Sequence, residues 1–386
     1  MTNLNKKKTG ILTFHASHNC GSMMQAYAMQ AVLNRLGYEN EIINYRNEGQ
    51  KDMYAVIHRK VNLKNVIRNT IGIFHYGKLK KQWLDYETFL HNTFILSERE
   101  YSNTSEIQLI RNHYRACVCG ADQIWNITIK DSDDAYFLPF EKGKMKKIAY
   151  APSFGAKRIQ DYSSDVQKYA GYLKDYDSLS VRENNGQKWI FELIGKKVPV
   201  VLDPTLLIDR EYYERIREDS GIEGDYIFYY SPSYSYRLDQ FVKKISNKYK
   251  LPVIVWNANE YYLKFEFING FKLPNKFNPG IYFDLISNAK LVVTTSFHGT
   301  IFSTICKKNF WILKNGGMYG DDDRVKTLIE QLGIENRLIE PVFDNKFNYL
   351  IDCNYSEYNR KIGYLRKKSI KYLMDSLKGG LKDGKK

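Results

Sequence analysis

The chain has no run of about 18 apolar residues, so nothing in it reads as a membrane-spanning helix. Its basic start resembles the opening of a secretory signal. The apolar stretch at 10–14 is too short for one, and no small-residue cleavage site follows. The chain is therefore read as cytoplasmic. Cysteine is scarce. Cys20, Cys117, Cys119, Cys306 and Cys353 are odd in number and lack zinc-like spacing, which points to reduced core thiols rather than a disulfide framework. His15 and His18 near Cys20 have no further ligand type beside them, so no metal site is expected. There is no GxGxxG, P-loop, zinc finger or RNP aromatic pair, and no internal repeat or low-complexity tract. Nucleic acid is accordingly not expected as a partner.

What is present is a globular composition. Apolar residues make up 43% and charged residues 26% of 386. That length exceeds one ordinary core, so two domains are expected. The 31 tyrosines and 20 phenylalanines are assigned mostly to the core. A net charge of +15 suits an anionic partner, either a membrane surface or a phosphorylated substrate. Scattered lysines on a solvated surface account for the same number.

Apolar runs at 11–14 and 41–45 flank a helical stripe at 22–36 that Gly37 stops, which makes a βαβ unit and implies a parallel sheet. Residues 51–100 are basic, aromatic and helical in tendency, and read as an insertion on the first domain. Further strands are expected at 116–119, 147–151, 178–181 and 198–202, with helices at 162–174 and 184–194. Asp203-Pro204-Thr205 reads as punctuation before a linker. A second alternation follows: strands at 226–230, 253–256, 291–295 and 310–313, with helices at 235–248, 280–288, from 298, and 322–332. The expected organisation is an N-terminal Rossmann-like domain (1–205), a second one (220–345), and a basic helix with a frayed tail (346–386). Two such domains facing across a cleft bind ligands at the carboxyl ends of their strands.

Five turns carry candidate chemistry. A buried strand runs directly into Ser296-Phe297-His298-Gly299-Thr300 and a helix start, where anions are favoured and a histidine can move a proton. Gly299 would admit a ligand to the backbone; otherwise Ser296 and Thr300 are ordinary caps. A second strand end carries Arg182, able to grip a carboxylate or phosphate with Glu183 steadying it, or else forming a surface pair. A glycine turn holds Asp122, Gln123, Trp125 and Asn126, groups suited to a sugar, or simply a structural turn. The turn from His15 through Asn19 and Gly21 is polar and opens a helix, and could hold an acceptor. The last follows Gly316-Gly317, where Asp321-Asp322-Asp323 precede Arg324, a candidate second anion clamp beside helix-capping aspartates.

These segments together resemble the polysaccharide pyruvyltransferase family. The resemblance rests on Gly10-Ile-Leu-Thr-Phe-His15, Asn19-Cys-Gly-Ser-Met-Met-Gln25, Gly120-Ala-Asp-Gln-Ile-Trp-Asn126, Tyr150-Ala-Pro-Ser-Phe-Gly155, Ser180-Val-Arg-Glu183, Val201-Leu-Asp-Pro-Thr205 and Thr295-Ser-Phe-His-Gly-Thr300, in order over about 9–335. It implies a glycosyltransferase-B-like fold and transfer of pyruvate from phosphoenolpyruvate to a sugar as a cyclic ketal. The acceptor would belong to a cell-surface polysaccharide, capsule or exopolysaccharide, or to its lipid-linked precursor. Phosphoenolpyruvate is then a substrate, with no cofactor and no metal required. Family members hold it with the arginine of a Ser-x-Arg segment and the late histidine, which correspond to Arg182 and His298. Many carry an arginine two residues before that histidine. Ser296 stands there, and Arg324 is the candidate replacement. Asp122 is the expected base for the sugar hydroxyl. Other readings are a nucleotide-sugar glycosyltransferase and a non-catalytic relative. The basic terminal helix is a candidate for peripheral contact with an anionic membrane at its inner face.

Overall fold

The computed structural model describes residues 8–58, 63–141, 143, 145–315 and 322–378. The chain divides into two compact units. One comprises Met1–Tyr54, Leu90–Ile208 and Ile362–Lys386, the other Ala55–Phe89 and Asp209–Lys361.

The first unit is built on β1 (Thr9–Leu12), β2 (Asn40–Tyr45), β3 (Leu96–Tyr101), β4 (Ala116–Cys119) and β5 (Lys146–Ala149), all parallel, in the order β3-β2-β1-β4-β5. The central strands are buried on both faces and so read as continuous apolar runs rather than alternations. The helix Cys20–Arg35 returns the chain from β1 to β2, burying Met24, Ala28 and Val32. Gly37 follows it at φ 81°, a left-handed conformation that glycine adopts without strain. β3 was not expected. Its sequence, Leu-Ser-Glu-Arg-Glu-Tyr, is the charged pattern of an edge strand and carries no apolar run. The segments expected as strands at 178–181 and 198–202 are extended but joined only by the single bridges Ile148↔Ser178 and Val181↔Val200. Pro199 in the second of them has no N–H for a ladder.

The second unit repeats the architecture with β6 (Ile227–Tyr230), β7 (Val253–Val255), β8 (Leu291–Thr294), β9 (Phe310–Leu313) and β10 (Leu338–Ile339), in the parallel order β10-β9-β8-β6-β7. Its helices include Tyr236–Tyr249, Pro279–Asn288, Phe297–Ile305 and Asp323–Leu332.

The units differ in membership from the sequence-based boundaries. Residues 55–89 do not join the first domain. They are fastened to the second unit: the His75 ring stacks on Tyr262 at 3.8 Å, Trp256 Nε1 donates to the Tyr86 hydroxyl at 3.1 Å, and Phe277 N donates to Asp85 at 3.0 Å. The helix Ser356–Lys378 is not an appendage either. From Ile362 it belongs to the first unit, where Leu202 N donates to Ser369 Oγ at 3.0 Å, Tyr372 donates to the Ala149 carbonyl at 2.9 Å, and Arg366 donates to the carbonyls of Leu206 and Ile208. The tail 379–386, expected to fray, lies outside the described residues. Among the described residues no helix is long and apolar enough to cross a membrane.

Candidate functional site

In each sheet the strand order reverses once, and loops leaving the two strands at the reversal diverge to leave room for a ligand. In the first unit these strands are β1 and β4. Their exits are tied together: Gly120 N donates to the Leu12 carbonyl at 3.1 Å, Gln25 Nε2 to Thr13 Oγ1 at 2.7 Å, and Ala121 N to Gln25 Oε1 at 3.2 Å. Gly120 has φ 131°, and an added Cβ would lie 2.0 Å from the Tyr150 carbonyl oxygen, so only glycine fits there.

That turn delivers Asp122, itself at φ 59°. Its Oδ2 accepts from Ser22 Oγ at 2.5 Å, and its Oδ1 accepts from Gln123 N at 2.8 Å and lies 3.7 Å from Arg182 Nη2. Arg182 Nη1 donates to Asp203 Oδ2 at 3.0 Å, and its Nε lies 3.9 Å from Glu183 Oε2. Asp203 is oriented by Thr205, whose N and Oγ1 donate to Oδ1 at 3.0 and 2.6 Å. All four charged groups are buried. One guanidinium thus lies among three carboxylates, with the Ser22 hydroxyl at the edge of the cluster.

This sharpens several expectations. Asp122 and Arg182, 60 residues apart in sequence, are brought together. Arg182 already holds Asp203 closely and Asp122 loosely, so it is not an open clamp. Glu183 steadies the arginine only distantly; its Oε1 accepts from Phe154 N at 2.8 Å and so fixes the 150–155 loop. Asp203 and Ser22 are the residues that sequence reasoning missed. Asp203 stands in Val201–Thr205, where the proline suggests a linker, and an aspartate before proline directly after an apolar run is the signal that marks it. Ser22 was read only as the opening of a helix.

Trp125 is corrected outright. It is 0% exposed, donates to the Tyr136 carbonyl at 3.1 Å and stacks on Phe137, so it is core rather than a sugar platform. Asn126 donates to Gln123 Oε1 at 3.1 Å and accepts from Thr128 N and Oγ1, and so shapes the turn. Gln123 remains partly exposed. His15 is fully buried, with Nδ1 3.3 Å from the Thr13 carbonyl and Nε2 3.2 Å from Asn44 Oδ1, so it braces the turn rather than facing an acceptor. Asn19 caps the helix Cys20–Arg35 by accepting from Gly21 N and Ser22 N. Gly21 is buried in that capped turn. Burial also pushes the Cys119 thiol up to about 12, leaving it unreactive at neutral pH.

In the second unit the reversal lies between β6 and β8. Thr294 Oγ1 donates to the Tyr230 carbonyl at 2.7 Å and accepts from Ser296 N at 2.9 Å, while Ser231 and Thr295 share a hydroxyl hydrogen bond of 2.8 Å. Ser296 caps the helix Phe297–Ile305, its Oγ accepting from Gly299 N at 3.2 Å and its carbonyl accepting from Thr300 N and Oγ1 at 2.9 and 3.0 Å. The amides of Gly299 and Thr300 are therefore used inside the turn, and Thr300 is fully buried. Gly299 is glycine for a packing reason: a Cβ would meet Thr294 Oγ1 at 2.4 Å. His298 sits against the edge of Phe297 and retains 8% exposure. Arg324 is bidentate to Asp322 through Nε and Nη2, at the start of the helix Asp323–Leu332. It too holds a carboxylate of its own chain. Gly316, Gly317 and Asp321 lie outside the described residues.

The chain is 11% identical to a UDP-GlcNAc 2-epimerase from Methanocaldococcus jannaschii, with TM-score 0.48 over 96% of this chain and 93% of that one. A UDP-N-acetylglucosamine 2-epimerase from Rickettsia bellii is 10% identical, with TM-score 0.48 over 96% of each chain. A glycosyltransferase involved in avilamycin A biosynthesis is 9% identical, with TM-score 0.44 over 97% of this chain and 99% of that one. No curated protein matches the sequence. The profile of the polysaccharide pyruvyl transferase family matches residues 19–317, which include the turns that follow β4 and β8 and the β6–β8 reversal of the second unit. A match over well more than half of the sequence settles membership: the chain belongs to the polysaccharide pyruvyl transferase family.

Proposed function

We propose that the protein transfers pyruvate from phosphoenolpyruvate to two hydroxyls of one sugar in a cell-surface polysaccharide or its lipid-linked precursor, forming a cyclic ketal. The observation that supports this reading is the buried Asp122 carboxylate at the strand-order reversal, which accepts from Ser22 and lies 3.7 Å from Arg182, and to which we assign the hydroxyl proton. In the reaction one sugar hydroxyl adds to the central carbon of the donor as its methylene carbon is protonated to a methyl group. The carbon–oxygen bond to phosphate then breaks, and a second hydroxyl closes the ketal. One hydroxyl proton ends on the methyl carbon and the other on phosphate, so the sum is sugar plus phosphoenolpyruvate giving ketal plus phosphate.

In this reading Asp122 is the base toward the sugar hydroxyl. His298, at a helix start where anions are favoured, binds phosphate and moves a proton. Arg182 receives the donor carboxylate by exchange for its 3.7 Å contact with Asp122, while Asp203 keeps it oriented. Arg324 is the other candidate for donor binding.

The test is incubation with phosphoenolpyruvate and a panel of nitrophenyl and lipid-linked sugars. The expected result is phosphate release matched by a sugar mass gain of pyruvate. Absence of both across the panel overturns the reading, and a thermal shift with nucleotide diphosphates but not with phosphoenolpyruvate would install the nucleotide-sugar transferase in its place. His298→Ala is expected to slow turnover by about 10²–10⁴-fold, the usual contribution of a positioned acid or base. Full rate in that variant removes His298 from the chemistry.

A further inference from the structure

The helix Leu63–Phe74 faces the opposite way from an ordinary surface helix. Asn65, Asn69 and Gly72 turn inward. Asn65 is buried, and Asn69 is bonded twice to the His58 backbone, accepting from N at 2.8 Å and donating to the carbonyl at 3.0 Å. Gly72 lies where an added Cβ would be 3.0 Å from the Val56 carbonyl oxygen. The large apolar residues turn outward: Val66, Ile67, Ile73 at 68% exposure and Phe74 at 80%. With 3.6 residues per turn, these four and Thr70 fall on one stripe about 120° wide. Such a stripe belongs against something other than water.

Two further observations say what covers it. The His75–Tyr262 stack ties the end of this helix to the helix Ala258–Leu263, and the turn after that helix exposes Phe265, Phe267 and Ile268, the last at 71%. The segment that carries the stripe is also rich in positive charge along the sequence. From Met53 to Leu84 the sequence holds no aspartate or glutamate and seven cations: Arg59, Lys60, Lys64, Arg68, Lys78, Lys80 and Lys81. Lys80 lies over the Trp83 ring at 3.9 Å. An apolar stripe with aromatic neighbours on a basic segment matches the chemistry of an anionic lipid surface, where side chains enter the headgroup boundary and cations meet phosphates. A nucleic-acid backbone would leave the stripe wet.

We propose that this face of the second unit docks the protein on anionic lipid, and that the terminal basic helix does not. That helix directs Ser369, Tyr372, Leu373 and Leu377 into its own unit. The inference stands independently of the pyruvyl-transfer reading, which nitrophenyl sugars test in the absence of any membrane.

The experiment is flotation of the full chain with vesicles of phosphatidylcholine alone and of phosphatidylcholine and phosphatidylglycerol in equal parts, at low and high salt. The protein is expected to float with the anionic vesicles and to be released by salt. Ile73→Asp combined with Phe74→Asp is expected to lower partitioning by about tenfold or more with an unchanged melting temperature, since both side chains are exposed. Lys78→Gln with Lys80→Gln is expected to weaken the salt-sensitive part alone. The proposal is overturned if the wild-type chain stays unbound to both vesicle types, or if the paired aspartate variant floats equally well. It is also overturned if light scattering shows a dimer that the aspartate variant dissolves while neither form floats, which gives the face to a second copy.

Discussion

At the scale of single residues, the candidate site is held by groups that cannot be exchanged one at a time. Arg182 contacts Asp122, Glu183 and Asp203, and all four groups are buried. Removing one partner from a buried ionic cluster costs about 3–5 kcal/mol, because the remaining charges stay desolvated. Arg182→Met is therefore expected to lose that order of stability in urea unfolding, and Asp203→Asn in the same background to recover part of it. A merely donor-binding arginine would lose affinity with no such change in stability. Gly299 makes the complementary case. Thr294 Oγ1 is pinned between the Tyr230 carbonyl and Ser296 N, so it cannot retreat from a new methyl group. Gly299→Ala is expected to cost about 1–3 kcal/mol. With Thr294→Ala added, the double variant should be less destabilised than the sum of the two single changes. The positions of Asp122 and His298 just past strand ends were legible in the sequence, because an apolar run followed by a glycine turn in one case and by a helix start in the other fixes where a side chain emerges. The inward aim of Trp125 was not. It depends on a tight turn whose path is set by Tyr150 and Gly155, distant in sequence.

At the scale of elements, the sheet core was read with little loss. β4 and β9 are uninterrupted apolar runs whose ends coincide with those expected. Two of the four edge strands escaped notice, because β3 is charged and β10 has only two residues. One pairing of elements also predicts a pH response. Asp239 opens the helix Tyr236–Tyr249, accepts from the Tyr229 hydroxyl at 2.9 Å, and neighbours Glu266 in the single turn Glu266–Asn269. Burial, and then the Glu266 charge, push the Asp239 carboxyl up to about 8 from 3.8, and burial raises Glu266 as well. A carboxyl whose value rises on folding favours the folded state most when protonated. Its contribution is complete below about pH 4 and is lost as pH climbs toward about 8. Melting temperature should therefore fall across that window, and Asp239→Asn should flatten the profile there. An unchanged slope in the variant would assign the response to other groups.

At the scale of the whole molecule, two α/β units were evident from the two alternations, but their membership was not. No local pattern reports that residues 55–89 are fastened to Trp256, Tyr262 and Phe277, or that Ser369 and Tyr372 complete a surface made by Ala149 and Leu202. Deleting residues from 362 onward is expected to lower the stability of the first unit and leave that of the second close to its full-length value. Hydrogen exchange resolved by segment would check this, with loss of protection expected at 146–149 and 201–208. The same interleaving sets an order of events on the ribosome. Domains begin to form while the chain is still being made, at about 5–20 residues per second. The second unit has every one of its residues once Lys361 has been added, whereas the first, begun at the N-terminus, still awaits the helix that covers β5. The unit carrying Asp122 and Arg182 is thus started first and closed last, so its buried charges meet their final surroundings only after the neighbouring unit's chain is complete.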